Sequence, residues 1–140
     1  HPHLLSFYGA CLEAEVPFVV MKYCPLGTIR KYLGENPDSD RARFSYEIAV
    51  GLAFLHSQDI VHADIKGANV LVSREDDTVH ALLTDFGLAL KLREFRSSYS
   101  QQLDKQRGTF VYMAPEVLLG ASPSKASDVY SLGLTIWEVS

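Results

Sequence analysis

Residues 61–72, VHADIKGANVLV, set an aspartate, a lysine and an asparagine into a short connection between apolar runs. Val61 ahead of it and Val70, Leu71 and Val72 behind it read as buried strand material. Burial of Asp64, Lys66 and Asn69 in such surroundings is costly unless each group is paired. Whatever the chain folds into must therefore hold this loop against hydrophobic strands and bring compensating partners to it. Ala63, an inert residue between His62 and Asp64, adds no charge of its own.

The flanking sequence sets the frame. LLSFYGAC (4–11) and VPFVVMKY (16–23) are aromatic and β-branched runs split by polar LEAE, which predicts an antiparallel strand pair. CPLGTIRKYLGENP predicts turn residues and then a short helix ending before Asn36-Pro37. Asp38, Ser39 and Asp40 offer N-caps for a longer helix, on which Ile48, Ala49, Leu52, Ala53 and Leu55 form one expected buried stripe. After the opening loop, NVLV predicts a strand, REDDT a turn, and VHALLT a second strand that runs into Asp85-Phe86-Gly87. Residues 88–112 are polar and lack periodicity, a long loop of the kind that is usually functional. APEVLLG and residues 125–139 read as helical, and the second is apolar nearly all round, the mark of a helix buried on every side in a whole domain. With covering helices missing here, Leu132, Leu134, Ile136 or Trp137 is expected to face water or another chain. The expected fold class is α+β.

Composition narrows the function classes. The 140 residues are 47% hydrophobic and 21% charged with a net charge of −4, which fits one globular domain. There is no basic cluster to neutralise phosphates, so nucleic acid is not an expected partner. The longest unbroken apolar run is far too short to span a membrane. Cys11 and Cys24 lack metal-ligand spacing and are expected to stay reduced, in a cytoplasmic setting, with a single disulfide as the other reading. His1, His3, His56 and His80 show no ligand spacing and read as surface or packing residues.

The chemistry concentrates in three oxygen-bearing side chains. Asp64 and Asn69 lie on the loop before one strand and Asp85 lies at the end of its hairpin partner, so the REDDT turn should bring all three to one edge. Such ligands suit Mg²⁺, which keeps several waters and takes substrate phosphates as its remaining ligands. Lys66 supplies a positive charge suited to a phosphoryl group, and a carboxylate left over can accept a hydroxyl proton. Metal, phosphate clamp and base together describe phosphoryl transfer to an alcohol.

On these residues the chain resembles the catalytic domain of eukaryotic protein kinases. HADIKGAN is similar to their catalytic loop, His-Arg-Asp-x-Lys-x-x-Asn, and DFG to their magnesium-binding motif. GTFVYMAPE (108–116) resembles the end of their activation segment, SDVYSLGLTIWE the central helix of their larger lobe, and HPHLLSFYGAC…FVVMKYCPLGTIRKYL the strand, gatekeeper and hinge region. One DFG is a weak signal, but four motifs in the family's order at compatible spacings are a strong one.

The resemblance implies a kinase-like fold and a role for each matching residue. Asp64 would be the base that orients a substrate hydroxyl, Lys66 would steady the transferring phosphate, and Asn69 and Asp85 would hold Mg²⁺. Met21 would be the gatekeeper, Lys22, Tyr23 and Cys24 the adenine-binding hinge, and Leu71 the floor under the adenine of ATP. Thr109 would contact Asp64 and Lys66 beside the docked protein substrate. Phe7, His62 and Phe86 would stack in a hydrophobic spine anchored on Asp128, whose carboxylate is expected to satisfy buried backbone N–H groups of the catalytic loop. Lys66 and the GT…YMAPE ending imply serine/threonine specificity, and the wording around HPHLL and IKGANVLV is most like the tyrosine-kinase-like group.

Departures from the family pattern carry expectations too. Ala63 stands where the family usually has an arginine that pairs with an activation-loop phosphate. An added phosphate on Ser97, Ser98, Tyr99 or Ser100 is therefore expected to gain no strong partner there. Both ends read as cut, making the chain an internal piece of a longer domain: 1–21 strands of the smaller lobe, 22–34 the hinge and first helix of the larger lobe, and 35–140 the larger lobe. The glycine-rich loop, the strand lysine and the arginine that would pair with Glu116 are all absent from it. A kinase-like scaffold that binds partners without catalysis is the second reading.

Overall fold

In the computed structural model, residues 1–85 and 110–140 are described. Two antiparallel hairpins and a set of helices make up an α+β fold, as expected. β1 (Phe7–Cys11) pairs with β2 (Phe18–Met21), Phe7 opposite Met21 and Cys11 opposite Phe18, with a bulge between Phe7 and Gly9. β3 (Val70–Glu75) pairs with β4 (Thr78–Leu83) in unbroken register, Val70 opposite Leu83 and Glu75 opposite Thr78. Asp76, at φ 50, lies in the two-residue connection, where an aspartate tolerates the left-handed conformation better than most side chains.

α1 (Ile29–Glu35) begins where the Thr28 hydroxyl accepts the Lys31 N–H, and α2 (Arg41–Ser57) where the Asp40 carboxylate accepts the Arg43 N–H. Of the three N-caps the sequence offered, Asp40 is the one used. The face α2 buries is Phe44, Glu47, Ile48, Gly51, Leu52 and Leu55. The expected stripe is corrected at one end: Ala53 is exposed and Ala49 only half-buried. Residues 44, 48, 52 and 55 repeat at helical spacing, and Ala53 lies about a quarter-turn past Leu52, on the solvent side.

After Tyr112 come a short α3 (Pro115–Leu118) and a long α4 (Lys125–Val139), whose ends match the sequence reading. Phe110–Tyr112 form a 3-10 turn rather than the tail of an irregular loop. α4 opens with a capping box in which Ser124 and Ser127 satisfy each other's backbone N–H. At its far end Arg41 Nη1 donates to the Val139 carbonyl at 2.8 Å. The expected exposure of α4's apolar face is present: Trp137 is 80% exposed and Leu132, Leu134 and Ile136 are half-buried, while Thr135 and Val139 are buried.

The core lies between α1, α2, the β3–β4 hairpin and the end of α4. It is built from Ile29, Leu33, Phe44, Ile48, Leu52, Val70, Val72, Leu83 and Val139, among others. Residues 3–5 run beside β4: Leu83 N–H donates to the His3 carbonyl at 3.0 Å, and Leu5 N–H to the Leu83 carbonyl at 2.9 Å. Gly51 is what lets this segment approach α2, because a Cβ there would come within 2.7 Å of the His3 carbonyl oxygen.

Candidate active site

The loop from His62 to Asn69 is held from below by one buried carboxylate. Asp128, 1% exposed in the first turn of α4, accepts the His62 N–H through Oδ2 and the Ala63 N–H through Oδ1, both at 2.8 Å. His56, from α2, adds its Nε2 to the same Oδ2 at 2.9 Å. These bonds pin Ala63 at φ 66, a left-handed conformation that costs a non-glycine residue roughly 1–2 kcal/mol. The anchoring role expected of Asp128 is thus present, and His56 is a partner that spacing alone did not suggest.

His62 fixes the loop to the end of β4. The ring is buried and its Nε2 donates to the Thr84 carbonyl at 2.8 Å, so its Nδ1 is left to accept the Asp64 N–H at 3.2 Å. Burial is the main influence on the imidazole and pushes it below its ordinary value, which agrees with this neutral tautomer. Thr84 N–H in turn donates to the Asn69 carbonyl at 2.9 Å. Asp85, the next residue, is exposed at φ 67 and follows Thr84, whose bond to Asn69 joins the end of β4 to the loop.

Asp64 is the centre of the arrangement. Its carboxylate is buried and meets Lys66 Nζ at 2.7 Å through Oδ2 and 3.0 Å through Oδ1. Asn69 Nδ2 donates to both the Asp64 carbonyl and Oδ2, each at 2.8 Å. Each polar side chain of the opening stretch therefore answers another, and the burial cost is met within the loop itself. Asn69 Oδ1 is engaged in no hydrogen bond among the described residues, leaving an oxygen of the kind a hard cation takes. An open cleft beside Asp64 is bordered by Ala63, Ile65, Tyr112, Met113 and Val117.

A second clamp was not legible in the sequence. Glu138, near the end of α4, accepts the Gly67 N–H at 3.2 Å and the Tyr112 hydroxyl at 2.8 Å, and faces Arg30 Nε of α1 at 2.7 Å. Burial first, then the bond to Glu138, pushes the Tyr112 phenol up to about 12. A Cβ at Gly67 would stand 2.6 Å from Glu138 Oε2, so a larger residue there would make the Glu138 carboxylate shift. One carboxylate thus ties the loop to the segment carrying Tyr112 and to α1. Its only sequence signal was a glutamate directly after the mostly apolar LGLTIW run of α4.

The remaining expected residues lie elsewhere. Lys22, Tyr23 and Cys24 follow β2; Lys22 N–H donates to the Ser6 carbonyl at 2.9 Å, and Cys24 is buried with Leu5 and Leu82, with half-buried Leu71 against them. The Lys22 ammonium pairs with Glu75, which raises its proton affinity. Met21 is 48% exposed and Phe7 63% exposed, and among the described residues Phe7 makes no ring contact with His62, so its half of the expected stack is not formed. Glu116 is exposed in the first turn of α3. Phe86, Thr109 and the serines and tyrosine at 97–100 lie outside the described residues. Cys11 and Cys24 are both free thiols, not a disulfide.

Comparison with known proteins decides the family. The family model for protein tyrosine and serine/threonine kinases matches residues 1–140. The chain belongs to the protein kinase family. This kinase chain is 36% identical to a probable L-type lectin-domain containing receptor kinase V.3 of Arabidopsis thaliana, over 100% of the chain and 22% of that protein. It is 34% identical to the human dual specificity testis-specific protein kinase 2, over 99% of the chain and 24% of that protein. It is 32% identical to cell division control protein 7 of Schizosaccharomyces pombe, over 99% of the chain and 12% of that protein. The chain thus spans a quarter or less of the length of these relatives. No helix among the described residues is long and apolar enough to cross a membrane.

Proposed function

We propose that the protein to which this kinase chain belongs transfers the γ-phosphoryl group of ATP to serine or threonine hydroxyls of protein substrates, with Asp64 as the base. The observation that carries this reading is the Asp64 carboxylate, buried and gripped by Lys66 and Asn69, on a residue that lines an open cleft. A carboxylate so positioned can accept the hydroxyl proton as the new bond to phosphorus forms. Lys66, 2.7 Å away, is placed to turn its ammonium toward the transferring phosphate. The cleft beside Asp64 is where an acceptor side chain would lie, and a cytoplasmic setting is part of the same proposal, supported by the two free thiols.

The residues present fit the divalent cation that the family implies. Asn69 Oδ1, unused by any hydrogen bond among the described residues, and the exposed Asp85 carboxylate would hold Mg²⁺. When bound, Mg²⁺ supplies charge neutralisation on phosphate oxygens. The main chain of Lys22 to Cys24 would meet the adenine, with Leu71 beneath it.

Asp64→Asn tests the reading in the full-length protein. Loss of a positioned base lowers the rate by roughly 10² to 10⁴, about 3–5 kcal/mol of barrier, with the fold retained because an amide still accepts from Asn69. Phosphorylation of a serine, threonine and tyrosine peptide panel within threefold of wild type would remove Asp64 from the base role. Transfer to the tyrosine peptides alone would overturn the acceptor class.

A further inference from the structure

We propose a second metal site, built from residues outside the catalytic loop, in which His3, Glu47 and His80 hold a zinc-class divalent ion. The three come from separate elements: His3 from the segment beside β4, Glu47 from the buried face of α2, and His80 from β4 itself. One ligand atom from each lies within 4.8 Å of the other two. Two imidazoles and one carboxylate are a donor set that suits Zn²⁺, with a water completing a tetrahedron.

Two further observations point to a ligand here. His3 Nδ1 is buried and has no hydrogen-bond partner among the described residues. A buried polar atom without a partner calls for an unseen water or ion. Glu47, in the middle of α2, is a buried carboxylate, only 4% exposed. Its Oε2 accepts the Ala81 N–H at 2.7 Å, which fixes the group, while Oε1 faces His80 Nδ1 at 2.8 Å. An ion would take the place of the proton shared between Glu47 and His80, and small side-chain rotations would bring the donors to about 2.0–2.2 Å from it.

The frame around the site is rigid. The His3 main chain is bonded to Leu83, and Gly51 keeps α2 clear of the His3 carbonyl. A bound ion would staple the segment leading into β1 to α2 and β4. The inference does not depend on the catalytic reading, since none of its ligands belongs to that site.

The experiment uses the intact protein, stripped with a chelator and titrated with Zn²⁺, and with Co²⁺ as a spectroscopic probe, in excess Mg²⁺ to saturate hard carboxylate sites. One equivalent of Zn²⁺ per chain, a rise in melting temperature on binding and a tetrahedral Co²⁺ absorption band are expected. Glu47→Gln, which can still accept the Ala81 N–H and so spares the fold, should weaken Zn²⁺ affinity at least tenfold, as should His80→Gln and His3→Ala. Absence of a stoichiometric equivalent in wild type would overturn the site. Binding undiminished in the three variants would do the same by assigning the ion to other residues.

Discussion

At the scale of single residues, the site is a set of paired polar groups, and pairing is what made part of it legible. Asp64, Lys66 and Asn69 stood out because polar side chains between strand-like runs must find one another, and they do. Asp128 was legible only as part of a motif, since nothing local says that an aspartate in a helix's first turn will reach back to His62 and Ala63. Glu47 and Glu138 were not legible at all: a glutamate in a helix reads as solvated, and only the tertiary fold shows what each meets. Two predictions belong here. Asp85→Ala should weaken Mg²⁺-dependent ATP binding more than Asn69→Ala, because a carboxylate is a charged ligand and an amide oxygen a neutral one. ATP affinity measured by titration with and without Mg²⁺ checks this, and equal affinity in wild type would contradict both assignments. The second concerns His62, whose proton affinity burial lowers from the ordinary 6.5. The unfolded chain takes up a proton near that pH that the folded chain resists, so the stability His62 brings is full above it and is lost as pH falls through the folded value. Denaturant titrations at about pH 7.5 and about pH 5.5 should therefore show a larger loss for wild type than for His62→Gln. Equal losses would mean that His62 charges freely in the folded protein.

At the scale of elements, periodicity placed nearly every helix and strand, and close approach decided what periodicity left open. The two hairpins follow from β-branched runs separated by turn residues, and α2 from its cap and its spacing. The error at Ala53 arose because small apolar residues fit either face of a helix, whereas the true stripe includes a glycine and a glutamate that hydropathy discards. Glycines in two helices make this testable. In α2, Gly51→Ala puts a methyl within 2.7 Å of the His3 carbonyl, a main-chain atom that cannot swing aside. Such overpacking costs about 1–3 kcal/mol. In α1, Gly34→Ala meets nothing within 4 Å, and gains about 0.5–1 kcal/mol from the better helix propensity of alanine. Urea unfolding of the two variants should move the midpoint in opposite directions. A neutral Gly51→Ala would show that the segment before β1 is not seated on α2 as described.

At the scale of the whole molecule, the balance between core and surface is uneven. One side of α4 presents Val129, Tyr130 and Trp137, which are 57%, 44% and 80% exposed, and α3 leads into Leu118 and Leu119 at 52% and 90%. All four residues of β2 are exposed as well. Scattered apolar side chains are ordinary on a protein surface, but rows of large ones mark surfaces that bind something or associate. Burying one large side chain is worth about 1.5–3 kcal/mol, a sizeable part of the 5–15 kcal/mol that holds a typical domain together. Expressed alone, these 140 residues should therefore melt broadly, bind a hydrophobic fluorescent dye and self-associate, and should transfer no phosphate. Trp137→Ser makes the cause specific. In the 140-residue chain it removes exposed apolar surface and should lower dye binding and sedimentation of aggregates, with stability changed by less than about 0.5 kcal/mol. If the same helix face is covered in the full-length protein, the same substitution there should cost several times more, because it deletes a packed side chain. A sharp, cooperative melt of the 140-residue monomer with no dye bound, or an equal small effect of Trp137→Ser in both settings, would show that the outer face of α4 is natively solvent-facing.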